Sequence, residues 1–69
     1  MDFVIENTDG EAIGIEVKAS QTALRGQFNG LKALANYTNL KAGFVIYTGK
    51  DFLSFGDNMY AVPLQALFV

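Results

Sequence analysis

The sequence predicts one small α/β domain, in which a β-hairpin is followed by a helix and then by further strands. Two alternating apolar runs flank an Asn-Thr-Asp-Gly turn signal near the start of the chain. A segment with three- and four-residue apolar spacing follows, and short β-branched and aromatic runs fill the second half. Because a helix separates the hairpin from the next strand, we expect that strand to lie parallel to the second hairpin strand.

The hairpin is predicted over residues 2–6 and 11–18, with a type I turn that places Gly10 in the left-handed region. This turn pairs Phe3 with Ile15 and Asp2 with Glu16. One face then carries the apolar residues Phe3, Ile5, Ile13, Ile15 and Val17. The other face carries Asp2, Val4, Glu6, Ala12, Gly14, Glu16 and Lys18. A slip of one residue would mix the two sets, so the apolar pattern and the turn favour the same register.

The helix is predicted over residues 24–37, with Ser20 or Thr22 as the cap. Its apolar positions recur at helical spacing: Leu24, Phe28, Leu31, Leu34 and Ala35. Gly26 and Gly30 weaken a helix by about 1 kcal/mol each relative to Ala, which indicates close packing or an irregular first turn.

The second half predicts a buried strand over 43–49, a strand over 52–55 and a short strand over 59–62. Pro63 is suited to the first turn of a terminal helical piece over 64–68. A cluster of aromatic residues here is predicted to fill the core rather than to form a docking surface: Phe52, Phe55, Tyr60 and Phe68.

The composition excludes several kinds of site. The 69 residues contain no Cys and no His, which excludes disulfides, thiolate and imidazole metal ligands, and Ser-His-Asp or Cys-His catalysis. The net charge of −2 gives no general attraction for nucleic acid. No apolar run approaches the roughly 20 residues that cross a bilayer, and the N-terminus lacks signal-peptide features. We expect a cytoplasmic protein without a membrane partner.

Three charged residues carry the possible chemistry. In the predicted register Asp2, Glu16 and Lys18 project from one face, and the two carboxylates oppose each other with Cβ atoms about 5 Å apart. Mg²⁺ prefers such carboxylate oxygens, and Lys18 could orient or deprotonate a water or stabilise phosphate charge. Ala12 and Gly14 are expected to leave this face open to substrate. The alternative is an ordinary solvated strand face.

The order of these residues resembles a known nuclease core. An acidic residue on one strand, E-x-K on the next and then a helix and a strand is similar to the second half of the PD-(D/E)XK fold. The chain further resembles the C-terminal module DUF4143 of prokaryotic AAA-type ATPases. The resemblance rests on Gly-Ile-Glu-Val-Lys-Ala-Ser at 14–20, Phe-x-x-Leu-x-x-Leu at 28–34, Phe-Val-Ile-Tyr-Thr-Gly at 44–49, and the ending at 55–67.

The resemblance implies a restriction-endonuclease-like fold in which Asp2 and Glu16 bind Mg²⁺ or Mn²⁺ and Lys18 assists the attacking water. It implies nucleic acid as the substrate and an ATPase domain as the partner in the parent protein. Residues 1–69 would form one C-terminal module that lacks the first helix and strand of the core and is inactive alone. The chain contains no G-x-x-x-x-G-K-[ST] loop, so we expect no ATP site in it. The alternative is a non-catalytic interaction or oligomerisation module, and we expect the piece to self-associate at an exposed sheet edge or by domain swapping.

Overall fold

A computed structural model describes residues 3–23 and 25–68. The two hairpin strands, β1 and β2, come first, and a short 3₁₀ helix leads into the helix α1. Three strands and a second 3₁₀ helix follow. In chain order the elements are β1 (Phe3–Glu6), β2 (Glu11–Val17), the first 3₁₀ helix (Arg25–Phe28), α1 (Asn29–Leu34), β3 (Asn39–Tyr47), β4 (Leu53–Ser54), β5 (Met59–Pro63) and the second 3₁₀ helix (Leu64–Phe68). The predicted α/β class and element order are confirmed.

All five strands form one mixed sheet in the order β1-β2-β3-β5-β4. The strand β3 lies parallel to β2, as the intervening helix predicted, and β5 lies parallel to β3. The two outer pairs, β1 with β2 and β4 with β5, are antiparallel. The sheet therefore has three parallel central strands with an antiparallel strand at each edge.

The hairpin has the predicted register. Phe3 pairs with Ile15, and Ile5 pairs with Ile13. Gly10 has a φ of 81°, the left-handed conformation that the turn requires. The side-chain oxygen of Asn7 accepts hydrogen bonds from the backbone N–H groups of Asp9 and Glu11, at 2.9 and 3.0 Å. Turn chemistry and apolar pattern thus act together to fix which residues share a face.

The helix is shorter than predicted. Instead of one helix over 24–37, a four-residue 3₁₀ helix passes into the six-residue α1. Ser20 does not cap it, because its hydroxyl donates to the carbonyl of Thr22 at 2.9 Å and accepts from the N–H of Thr22. Ala35 lies exposed at the C-cap rather than in the core, and Leu24 lies outside the described residues. Two glycines in ten residues lower helical propensity enough for the tighter, irregular start.

The core lies between α1 and the sheet. Its buried members come from the helical segment and from β3 and β5: Phe28, Leu31, Val45, Tyr47, Met59 and Ala61. The ring of Phe55 packs at 4.9 Å from the ring of Phe28, so this aromatic residue extends the core as predicted. Phe52 and Phe68 are 62% and 80% exposed, so the prediction that they fill the core is wrong.

The helix covers the face that carries Glu16. Ala12, Gly14 and Glu16 are buried there, and a Cβ on Gly14 would lie 2.5 Å from Cδ2 of Leu31. The expectation that Ala12 and Gly14 leave this face open to substrate is therefore wrong. Small residues at these positions let the helix approach the strand closely, so their size marks a packing contact.

The opposite face of the sheet, here called the open face, carries the large aliphatic residues of the hairpin. Ile5, Ile13 and Val17 are 58%, 38% and 46% exposed. By strand alternation and register the face also includes Ile15, Phe44, Ile46, Tyr60 and Val62. No helix within residues 3–23 and 25–68 is long and apolar enough to cross a membrane.

Candidate functional site

Glu16 and Lys18 lie together at the carboxyl end of β2. The side chain of Glu16 is 10% exposed and that of Lys18 is 42% exposed, and Nζ of Lys18 lies 3.8 Å from Oε1 of Glu16. The backbone N–H of Lys18 donates to the carbonyl of Ile46 at 2.8 Å, which continues the ladder between β2 and β3 past the end of the strand. The sheet thus fixes the backbone from which both charged side chains extend, and the structure brings these two predicted site residues together.

Gly30 forms the part of α1 that faces the Glu16 carboxylate. A Cβ on Gly30 would lie 3.9 Å from both carboxylate oxygens. On β3 the residue directly opposite Glu16 is Val45, which is fully buried. The carboxylate therefore lies between the apolar strand β3 and the backbone of Gly30 on α1. Any larger residue at position 30 would occupy the space next to the two oxygens.

Asp2, the third predicted residue, lies outside the described residues. The last described pair of the hairpin is Phe3 with Ile15, so an antiparallel continuation would pair Asp2 with Glu16. That pairing stays a prediction. Across residues 3–23 and 25–68, no three acidic, His or Cys side chains come together as a metal-binding group. Of the two carboxylates predicted to bind a cation, Glu16 is the one that the structure describes.

The donor set matches a hard divalent cation. Mg²⁺ is commonly held by one or two carboxylates and keeps several waters, whereas zinc sites favour thiolate and imidazole ligands that this sequence lacks. The Gly30 position leaves a methyl-sized gap beside both oxygens of Glu16, since a Cβ there would lie 3.9 Å from each. Lys18 adds a positive charge next to the carboxylate and could act on a phosphate or a water.

A depression at the same end of the sheet was missed by sequence reasoning. It has a volume of about 460 Å³ and is lined by Gln21, Thr48, Gly49, Lys50 and Asp51. The N–H of Thr48 donates to the carbonyl of Ser20 at 2.9 Å, which joins the segments that follow β2 and β3. The sequence signal for this depression is a Gly-Lys dipeptide at the end of the predicted buried strand.

A second charged cluster lies at the other end of β2. Asn7 donates a side-chain hydrogen bond to Glu11 at 3.0 Å, and Nζ of Lys41 lies 3.3 Å from the Glu11 carboxylate. These contacts hold the pKa of Glu11 below its ordinary value near 4.5. The Asn7 hydrogen bond contributes most, and Lys41 contributes next. Since the group closes the hairpin turn, we interpret it as structural.

The fold and the site define an α/β domain with a nearly buried glutamate beside a partly exposed lysine at the carboxyl end of a central strand. The family described as a domain of unknown function (DUF4143) matches residues 1–67, and the chain belongs to that family. The comparisons with curated proteins and with solved structures gave no match. The predicted membership of DUF4143 is thereby confirmed.

Proposed function

We propose that this domain is a nuclease-like module that binds Mg²⁺ or Mn²⁺ through Glu16 and Asp2. In this proposal it takes part in phosphodiester cleavage of nucleic acid within a longer, cytoplasmic AAA-type ATPase. The observation that carries the proposal is the Glu16 carboxylate, nearly buried yet facing a residue without a side chain, with Lys18 Nζ 3.8 Å away. A strand face that served only for solvation would leave this carboxylate in water.

Each residue has a distinct task. Glu16 and Asp2 hold the cation, which supplies Lewis acidity at the phosphate and lowers the pKa of a bound water. Lys18 stabilises negative charge that develops on the phosphate, because its ammonium group reaches solvent while its backbone is fixed by the sheet. The buried position of Glu16 keeps its carboxylate in one orientation before substrate arrives.

Binding of nucleic acid requires contacts from a part of the longer protein outside this domain. The chain has a net charge of −2, so only local cations such as Lys18 and Lys50 can contact phosphates. Lys18 follows β2, and Lys50 follows β3 and lines the 460 Å³ depression. We assign the remaining affinity, and the ATP site, to the ATPase domain of the longer protein.

A Mn²⁺ titration followed by calorimetry tests the metal site. We expect Glu16→Gln to weaken binding at least about tenfold, since one charged ligand of very few is lost. The matched control is Glu11→Gln, which removes the same charge from the same strand at its opposite end. Circular dichroism checks that both variants fold. Equal Mn²⁺ affinity in the two variants would contradict the metal site.

The second candidate function is a non-catalytic module that binds a partner of the ATPase. The observation in its favour is the open face, whose aliphatic side chains are up to 58% exposed. In this case Glu16 and Lys18 would simply neutralise each other. The test introduces Glu16→Ala and Lys18→Ala into the longer protein. If partner capture and cellular function stay intact, this candidate is favoured over the nuclease.

A further inference from the structure

The open face carries a continuous apolar surface. Besides the exposed aliphatic residues of the hairpin, it holds a row of three aromatic rings. Phe44 and Tyr60 stack with ring centroids 5.7 Å apart, and Phe52 lies at the same distance from Tyr60 on the other side. Phe52 is 62% exposed. Exposed aromatic rings that are already held by their neighbours lose little side-chain freedom on binding, which is typical of energetically important interface residues.

The size of this surface approaches that of an interface. An aromatic side chain can bury about 150–250 Å², and the Ile and Val side chains of this face are smaller. The exposed fractions across the open face and Phe52 therefore correspond to about 600 Å² of apolar surface, at the upper end for a monomer. Two such surfaces placed together would bury about 1,200 Å², which is the lower limit for a specific protein–protein interface.

Charge restricts what can cover this surface. Between Glu11 and Lys18, the residues of β2 that point to the open face are Ile13, Ile15 and Val17, none of which is charged. Lys41 lies at one end of this surface, beside Ile5 and Ile13, and is paired with Glu11 at 3.3 Å. A phosphate backbone would have to compete with Glu11 for this lysine, which argues against nucleic acid. Another copy of the same surface would meet apolar side chains over most of the contact, with the mutually neutralised Glu11–Lys41 pair at its margin.

We propose that the open face binds the open face of a second copy of this chain, so that two sheets pack face to face with their helices outside. Such a contact is self-complementary about a two-fold axis, and sheets that pack in this way lie about 10 Å apart. It differs from the edge pairing and domain swapping that the sequence predicted. It also leaves Glu16 and Lys18 away from the interface, so it does not depend on the proposed function.

Sedimentation across about 10–500 µM, where interfaces of this small size dissociate, tests the proposal. We expect the unmodified chain to form a reversible dimer. Val17→Lys should weaken it at least about tenfold, because a charge would be buried at the contact. The matched control is Val4→Lys, which changes the same residue type in the same hairpin at a similar exposure, 41% against 46%, on the helix side.

Ile5→Lys provides a second substitution on the open face, at a residue 58% exposed, and circular dichroism reports whether each variant folds. Weakening by Ile5→Lys and Val17→Lys with no change in Val4→Lys supports the face-to-face dimer. A chain that stays monomeric throughout overturns it. Equal weakening by Val4→Lys also overturns it, since that result would indicate pairing through the β1 edge.

Discussion

Gly30 lies so close to Glu16 that a Cβ on the glycine would be 3.9 Å from each oxygen of the carboxylate. This distance is an ordinary van der Waals contact, so alanine fits without displacing the glutamate. Because Gly30 is the second residue of α1, Gly30→Ala should raise the free energy of unfolding by up to about 1 kcal/mol. The same methyl group should lower Mn²⁺ affinity several-fold by excluding water from the carboxylate. Thermal melts and calorimetry measure the two effects.

Gly26→Ala is the matched control for Gly30→Ala. Gly26 lies in the 3₁₀ helix just before α1, and a Cβ there would meet no heavy atom within 4 Å. Gly26→Ala should therefore leave Mn²⁺ affinity unchanged. If Gly30→Ala binds Mn²⁺ as tightly as Gly26→Ala does, the space beside Glu16 is not used by a cation.

Gly14 should not tolerate alanine. A Cβ on Gly14 would lie 2.5 Å from Cδ2 of the fully buried Leu31 and 3.5 Å from side-chain atoms of Leu34 and Leu40. We expect Gly14→Ala to lower the free energy of unfolding by about 1–3 kcal/mol through overpacking. Urea denaturation measures this loss. Unchanged stability would mean that α1 does not pack on β2 as described.

Leu31 supplies the fully buried contact from α1 to the sheet. Leu31→Ala should cost about 2–5 kcal/mol. A chain of this length has a total stability of roughly 5 kcal/mol, so a large fraction should unfold at 25 °C. Tyr37→Ala is the comparison, because Tyr37 is 85% exposed and its removal should change stability by no more than about 0.5 kcal/mol. Similar melting temperatures for both variants would contradict the described core.

Because of Glu11, the free energy of unfolding should depend on pH in the acid range. Its pKa is held below the ordinary value near 4.5 by the Asn7 hydrogen bond first and by Lys41 next. A depressed folded-state pKa adds stability above the unfolded-state pKa, and this stability is lost as the pH falls through the folded-state value.

Unfolding measured from pH 7 down to about pH 3 tests the role of Glu11, since this range spans the carboxylate titrations. In Glu11→Gln, the loss of folding stability on going to acid pH should be smaller than in the unmodified chain. High salt should weaken only the Lys41 contribution, because salt screens charges far more than it affects a neutral hydrogen-bond donor. If the stability of Glu11→Gln varies with pH as that of the unmodified chain does, the contacts of Glu11 do not stabilise the folded state.

Local signals predicted the hairpin well. Gly10 adopts the left-handed conformation that the turn chemistry indicated, and Phe3 pairs with Ile15 as the alternating pattern required. The parallel placement of β3 followed from the helix between it and β2. These features depend on residues near one another in sequence or on a general rule of chain connection. For the same reason the adjacency of Glu16 and Lys18 was predictable.

What the sequence alone determined is the class of fold, the strand register of the hairpin and the family of the chain. Only the tertiary structure decided which face of the sheet α1 would cover. Alternation separates the residues of a strand into two sets, but it does not say which set the helix contacts. Here the small residues Ala12 and Gly14 admit Leu31, so the helix buries Glu16 and leaves Ile5 and Val17 in solvent.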